Sequence, residues 1–119
     1  MRKLIEILLL RRMFGIAHFN FGAKSRNGQD VAQCYADAMT WYRLAANQRN
    51  ADAQNNLGVM YAQGQGVVQD YVEAHRWFTL ASASGNENAE TNRASIESKM
   101  TREEIAEAQQ RAAAWKAPQ

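Results

Sequence analysis

Shifted by 36 positions, the chain matches itself over residues 17–88 without a gap. The identical pairs are Ala17/Ala53, Asn20/Asn56, Gly22/Gly58, Gly28/Gly64, Val31/Val67 and Gln33/Gln69, followed by Tyr35/Tyr71, Ala38/Ala74, Trp41/Trp77, Leu44/Leu80, Ala45/Ala81 and Asn50/Asn86. With Gln29/Gln65 there are thirteen identities at one offset, a tryptophan and two glycines among them, which is hard to obtain by chance. A period of about 20–50 residues is the signature of a stacked array, in which each unit buries its apolar face only against its neighbours.

The second copy reads as a helix, a glycine-rich turn and a second helix. Asn50 or Asp52 caps the first helix, and Ala53, Leu57 and Tyr61, four apart, form one apolar stripe. Gly58 falls inside that helix, where glycine costs about 1 kcal/mol relative to alanine, so its recurrence as Gly22 predicts the close approach of another helix. Gly64 and Gly66 supply the positive φ of a tight connection, and Val67 plugs it. Asp70 opens the second helix with Glu73 in capping-box spacing. Tyr71, Ala74, Trp77 or Phe78, and Ala81 then face the first helix, small residues letting the backbones approach while rings fill the gaps. Gly85 and Asn86 end this helix and start the next.

The first copy keeps the core positions and loses the punctuation. Asp30 replaces Gly66, Cys34 replaces the capping Asp70, Ser25 replaces Tyr61 and Arg49 replaces Gly85. Its loop is therefore expected to be less regular, and its second helix to begin without an aspartate cap, a loss of about 1 kcal/mol. The chain divides accordingly into an N-terminal helical cap at 1–16, a degenerate repeat at 17–52, a second repeat at 53–88, and a partial repeat with a closing helix at 89–119. In the last segment Thr101 and Glu104 form another capping box, Ile105, Ala108, Ala112 and Trp115 line one face, and Pro118 stops the helix. Such terminal helices cover the apolar ends that a stacked array leaves open.

Residues 1–10 read as two basic residues and an apolar run, which superficially suggests an export signal. Glu6 interrupts the run, Arg11 and Arg12 follow it, and no small-residue cleavage site is evident. The run also falls short of the roughly 20 apolar residues of a spanning helix. A helix packed on the array is the favoured reading; a degenerate export signal, and a membrane-surface or homo-oligomer contact through Leu4, Ile5, Ile7, Leu8, Leu9 and Leu10, stay open beside it. The compartment is cytoplasmic by default, and periplasmic or secreted if this segment is an export signal.

Chemistry is scarce. Gly64-Gln65-Gly66 lacks the Gly-Lys-Ser/Thr and the strand–loop–helix setting of a phosphate cradle, so it reads as a helix-ending turn. His18 and His75 are the only imidazoles, and neither has a second metal ligand at helical spacing. Cys34, the single cysteine, forms no internal disulfide and stands in no nucleophile motif; it reads as a replaced cap or a small apolar group. Glu103 and Glu104 are adjacent on a helix and point apart, which argues against an acid–base pair. A net charge of +2 does not by itself imply nucleic acid, because phosphate binding needs a concentrated patch. The basic residues Arg2, Lys3, Arg11, Arg12, Lys24 and Arg26 read as a solvated face, with an anionic partner or membrane surface as the alternative. No catalytic residue, cofactor site or metal site is expected.

The run Ala53-Gln54-Asn55-Asn56-Leu57-Gly58, with Tyr61, Gly64-Gln65-Gly66-Val67, Asp70-Tyr71, Ala74 and Trp77, closely resembles the Sel-one-like repeat family, relatives of the tetratricopeptide repeats. The match is specific over 51–86, good over 37–50 and partial over 17–36, and the ending at 100–108 is similar to the closing helix of bacterial members. The resemblance implies an all-α fold, a right-handed α-α superhelix or solenoid of antiparallel helix pairs with terminal capping helices, whose first-type helices line a concave groove. It also implies a protein-interaction scaffold or adaptor without catalysis. A cysteine-rich branch of the family is linked to β-lactam binding or hydrolysis through disulfide-tied helix pairs; one cysteine disfavours that alternative. A degenerate structural paralogue is the other. Groove candidates are the first-helix residues expected to face away from the core: His18, Phe19, Ala23 and Lys24 in the first unit, and Gln54, Asn55, Val59 and Ala62 in the second. The partner expected there is another protein or peptide.

Overall fold

The computed structural model describes residues 28–118. Five helices follow one another: α1 (Gly28–Asn47), α2 (Ala51–Gln63), α3 (Tyr71–Ala83), α4 (Ala89–Glu97) and α5 (Arg102–Ala114), with no strand among the described residues. α2 and α3 form the most extensively packed pair, α1 packs on α2, and α3 carries both α4 and α5. This is the all-helical, neighbour-on-neighbour stacking of an α-α solenoid. The expected N-terminal cap and most of the first unit's first helix lie outside the described residues.

The punctuation read from the second copy is observed. The Asn50 side chain accepts from the Ala53 amide at 2.9 Å, capping α2, and Gly64 ends it at φ 68° with its amide returning to the Met60 carbonyl. Asp70 caps α3 by accepting from the Glu73 amide at 3.1 Å. Only this half of the anticipated capping box forms, because both Glu73 oxygens are taken by the Arg76 guanidinium at 2.7 and 2.8 Å. On α5 the box closes in both directions, Glu104 N to Thr101 Oγ1 at 3.1 Å and Thr101 N to Glu104 Oε1 at 2.9 Å.

The first copy departs from expectation in two places. Its counterpart of the 64–70 loop is no irregular loop: residues 28–34 are helical and make α1 20 residues long. With Asp30 where the second copy has Gly66, this stretch lacks the second glycine that its counterpart takes to positive φ. Cys34 consequently lies inside a helix rather than at a cap, and is half-buried. The second departure is at Arg49. Its φ of 66° repeats the left-handed turn that Gly85 makes at 104°. Around it Gln48, Arg49 and Asn50 donate to Ala45, Ala46 and Ala45, while Ser84, Gly85 and Asn86 donate to Ala81, Ser82 and Ala81. The two turns share one bonding pattern at the 36-residue offset, so losing the glycine strains the turn without changing its shape.

Packing follows the repeat as well. A Cβ at Gly58 would sit 2.4 Å from Phe78 Cε1, so the mid-helix glycine is where the α3 ring enters α2. Phe78 and Leu57 are fully buried and Trp77 is nearly so. Burying a tryptophan withdraws about 150–250 Å² from water, a gross gain of roughly 4–6 kcal/mol. The Trp77 ring meets Trp115 edge-on, centroids 5.9 Å apart, and the Arg76 guanidinium lies 4.4 Å above it. Ala108 and Ala112 bury the inner face of α5, and the Arg111 guanidinium reaches Glu73 at 3.6 Å. The chain leaves helical geometry at Trp115, φ −68° and ψ 132°, three residues ahead of Pro118.

Each second-type helix is tied to the following first-type helix by a side-chain contact. The Arg43 guanidinium donates to the Tyr61 hydroxyl at 2.7 Å, and His75 Nε2 lies 2.7 Å from Glu97 Oε1. Tyr61 and Glu97 are 36 apart and share one repeat position, whereas Arg43 and His75, 32 apart, stand at different ones.

Candidate partner-binding face

Helical periodicity divides α2 into three faces. Ala53, Leu57, Met60 and Tyr61 are buried, and Gly58 admits α3. Asp52 and Gln63 are exposed, and between these limits Asn55, Asn56, Val59 and Ala62 are half-buried. Asn55, Val59 and Ala62 are spaced by four and three, and Asn56 and Val59 by three, so all four fall on one outward surface.

Of the groove candidates in this unit, Asn55, Val59 and Ala62 are found on that surface. Gln54 is not. It is fully buried, and its Nε2 donates to the Ala46 carbonyl at 3.1 Å. The Ala46 carbonyl, in the last turn of α1, already accepts from the Arg49 amide at 3.0 Å, and the inward Gln54 amide adds a second bond to the same oxygen. Its Oε1 is buried and makes no hydrogen bond. His18, Phe19, Ala23 and Lys24 lie outside the described residues, as do the six basic residues of the N-terminal cluster.

The neighbouring first-type helix adds residues the sequence reading left out. Asn92 on α4 is half-buried and donates from Nδ2 to Asn55 Oδ1 at 3.0 Å, crossing from one helix to the next. Asn56 and Asn92 stand at one repeat position, and the Asn20/Asn56 identity was the available signal for it. The Asp52 carboxylate, at the edge of the face, accepts from Asn86 Nδ2 at 2.9 Å.

The remaining polar groups serve the scaffold. His75 is fully buried between Glu97 and the Thr79 hydroxyl, which donates to the His75 carbonyl at 2.9 Å. Among the described residues no three metal-ligating side chains converge. Burial pushes the Glu73 carboxyl up, but hydrogen bonds and charge from Arg76 and Arg111 outweigh it and hold the carboxyl below its ordinary range. Burial raises the Tyr42 phenol strongly and the Tyr35 phenol less. No described helix is long and apolar enough to cross a membrane. The glycine turn acts as a joint: Gly66, at φ 72°, abuts the Tyr35 backbone on α1, where a Cβ would lie 2.9 Å from the carbonyl carbon.

Comparison with family models matches the Sel1 repeat twice, over residues 16–50 and 51–86. The chain belongs to the Sel1 repeat family. Comparison with curated proteins finds no match. Sel1 repeats are generally protein-interaction modules, generally without catalytic activity, and a scaffold role is compatible with the stacked helices. In this Sel1-repeat chain the two matched units meet at residues 50 and 51, between the α1 turn and the start of α2.

Proposed function

We propose that this Sel1-repeat chain is a protein-binding scaffold whose partner docks on the outward face of α2 and its continuation onto α4. The observation that carries the reading is the half-buried set Asn55, Val59 and Ala62, joined to Asn92 across two first-type helices. A contact surface drawn from successive repeats is what a solenoid offers to a partner. Its members sit on helices fixed from behind by Leu57, Phe78 and the Gly58 contact, so the face is pre-shaped and loses little freedom on binding.

A photo-crosslinking residue at Val59, set against one at the exposed Glu103 of α5, tests this in cells that make the protein. A partner captured at Val59 and absent at Glu103 supports the reading. A partner captured equally at both positions, or at Glu103 alone, removes it.

A further inference from the structure

Helical periodicity gives α1 two sides. Met39, Tyr42, Ala45 and Ala46 are buried, whereas Ala36, Asp37, Thr40, Arg43 and Leu44 are exposed. At 100° per residue the exposed set centres on Thr40 and, with Gln33 and Asn47, makes one outward stripe about 21 Å long.

Two charges on this stripe are unmatched. Arg43 donates from Nη2 to the Tyr61 hydroxyl at 2.7 Å, and Asp37 accepts from Gln33 Nε2 at 3.1 Å, so both side chains are held in place. Neither makes an ion pair among the described residues, although Glu73, Glu90 and Glu107 each have an arginine. They stand six apart, outside the spacings of three and four at which side chains meet along a helix. A guanidinium has five N–H donors and a carboxylate accepts several, so each keeps capacity for the other. The complement of this stripe is a surface with the same two charges in reversed order, and α1 itself, turned end for end, is such a surface.

About a two-fold axis, residue i meets residue j and j meets i. Setting Asp37 opposite Arg43 in two antiparallel α1 helices puts the axis at Thr40, and the remaining pairs follow without further choice: Ala36 meets Leu44, and Gln33 meets Asn47. Each is compatible. Leu44, 47% exposed beside the cavity of about 350 Å³, lies over the smallest side chain of the stripe. Amide meets amide at the ends. The Thr40 hydroxyl already donates to the Ala36 carbonyl at 3.1 Å, so no hydroxyl donor is stranded on the axis. Parallel pairing in register would set Asp37 on Asp37 and Arg43 on Arg43, and charge therefore selects the antiparallel form.

We propose that the outward stripe of α1 is a self-complementary interface through which two copies of this chain pair about a two-fold axis, Arg43 of each bound to Asp37 of the other. The surface is one helix wide, which makes the dimer weak and concentration-dependent. It shares no residue with the α2–α4 face, so the pair carries two docking faces and suits a bivalent partner. The pairing stands whether or not a partner docks there.

Sedimentation velocity of the full-length protein, at concentrations up to about 1 mM, tests this with two charge reversals. Asp37→Arg and Arg43→Asp, each alone, turn both ion pairs into like-charge contacts and are expected to weaken self-association about tenfold or more. A one-to-one mixture of the two variants is expected to restore it, because opposite charges then meet at both contacts. Circular dichroism and melting show that each variant has folded. If Arg43→Asp, which gives up the Tyr61 bond, has not, Leu44→Glu takes its place beside Asp37→Arg, and both are expected to lose about tenfold or more. A wild-type chain that stays monomeric throughout, folded variants that associate as the wild type does, or a mixture of the reversals no tighter than its components overturns the inference. The second of these is also the result that self-association through Leu4–Leu10 would give.

Discussion

Truncating Gln54 to alanine removes a buried donor from the Ala46 carbonyl and leaves space behind, whereas truncating Asn55 removes an outward amide. Chemical denaturation is expected to show a loss of about 1–3 kcal/mol for Gln54→Ala and at most about 1 kcal/mol for Asn55→Ala. Equal losses would contradict the inward and outward assignments. The side chain of Gln54 was not legible from sequence, because its direction depends on where the end of α1 lies in space. Trp77 was legible: its spacing from Ala74 and Ala81 predicted burial. Trp77→Ala is expected to cost about 3–5 kcal/mol in the same measurement, and a cost under about 1 kcal/mol speaks against a core position.

Arg49 occupies a left-handed turn whose counterpart is a glycine. That conformation costs an L-residue roughly 1–2 kcal/mol, part of which the added unfolded-state freedom of glycine cancels. Arg49→Gly should therefore raise the melting temperature slightly, and Gly85→Ala should lower it although no atom lies within 4 Å of the added Cβ. A lower melting temperature for Arg49→Gly would show that the turn is not under strain. Glu73 carries a pH signature. Its folded-state carboxyl is held below the ordinary range, so its contribution is present above the unfolded-state value and is lost as pH falls through the folded one. Glu73→Gln is expected to flatten the acid limb of the stability profile; an unchanged limb contradicts the ion-pair assignment.

Between elements, local signals were reliable and long-range ones were not. The caps of Asp70 and Thr101 and the stop at Gly64 follow from adjacent residues, and of the two candidates for the α2 cap, Asn50 and Asp52, the structure uses Asn50. Gly58 could be read because a mid-helix glycine recurring at the repeat offset needs a cause, and Phe78 is that cause. By contrast, the Glu73 side chain left its expected box for Arg76 and Arg111, the latter on an element 38 positions away in the chain. The helical course of residues 28–34 is not legible in the sequence either, because the same missing glycine fits a loosened loop as well as a continuing helix. Gly66 links elements by permitting contact with the Tyr35 backbone. Gly66→Ala meets both a positive φ and a backbone clash, and should displace the turn from α1, seen as faster amide hydrogen exchange over the α1–α2 junction. Exchange unchanged from wild type would mean the joint does not depend on that approach.

The described residues form a short stack. The two Sel1 units matched are fewer than the three or so that arrays generally need. At one end α5 supplies a cover, through Ala108, Ala112, Trp115 and the Arg111–Glu73 ion pair. On α1, Leu44 stays 47% exposed, beside an open cavity of about 350 Å³ that Met39, Thr40, Arg43 and Asn47 also line. Whether residues 1–13 contribute is a question for deletion. If that segment is a cap, removing it lowers the melting temperature or changes the elution volume; unaltered values reject the cap reading. The proposed docking face is legible in the sequence only in part. Asn55, Val59 and Ala62 follow from helical spacing, while Asn92 joins them through a contact between residues 37 positions apart.

The central claim is that the outward face of α2 and α4 is where a partner docks. The most direct measurement is the affinity of a partner captured at Val59 for the wild-type chain and for Val59→Glu, whose folding is checked by circular dichroism and melting. The account predicts a folded Val59→Glu variant with affinity reduced tenfold or more, about 1.4 kcal/mol. A folded variant that binds as tightly as wild type would contradict it.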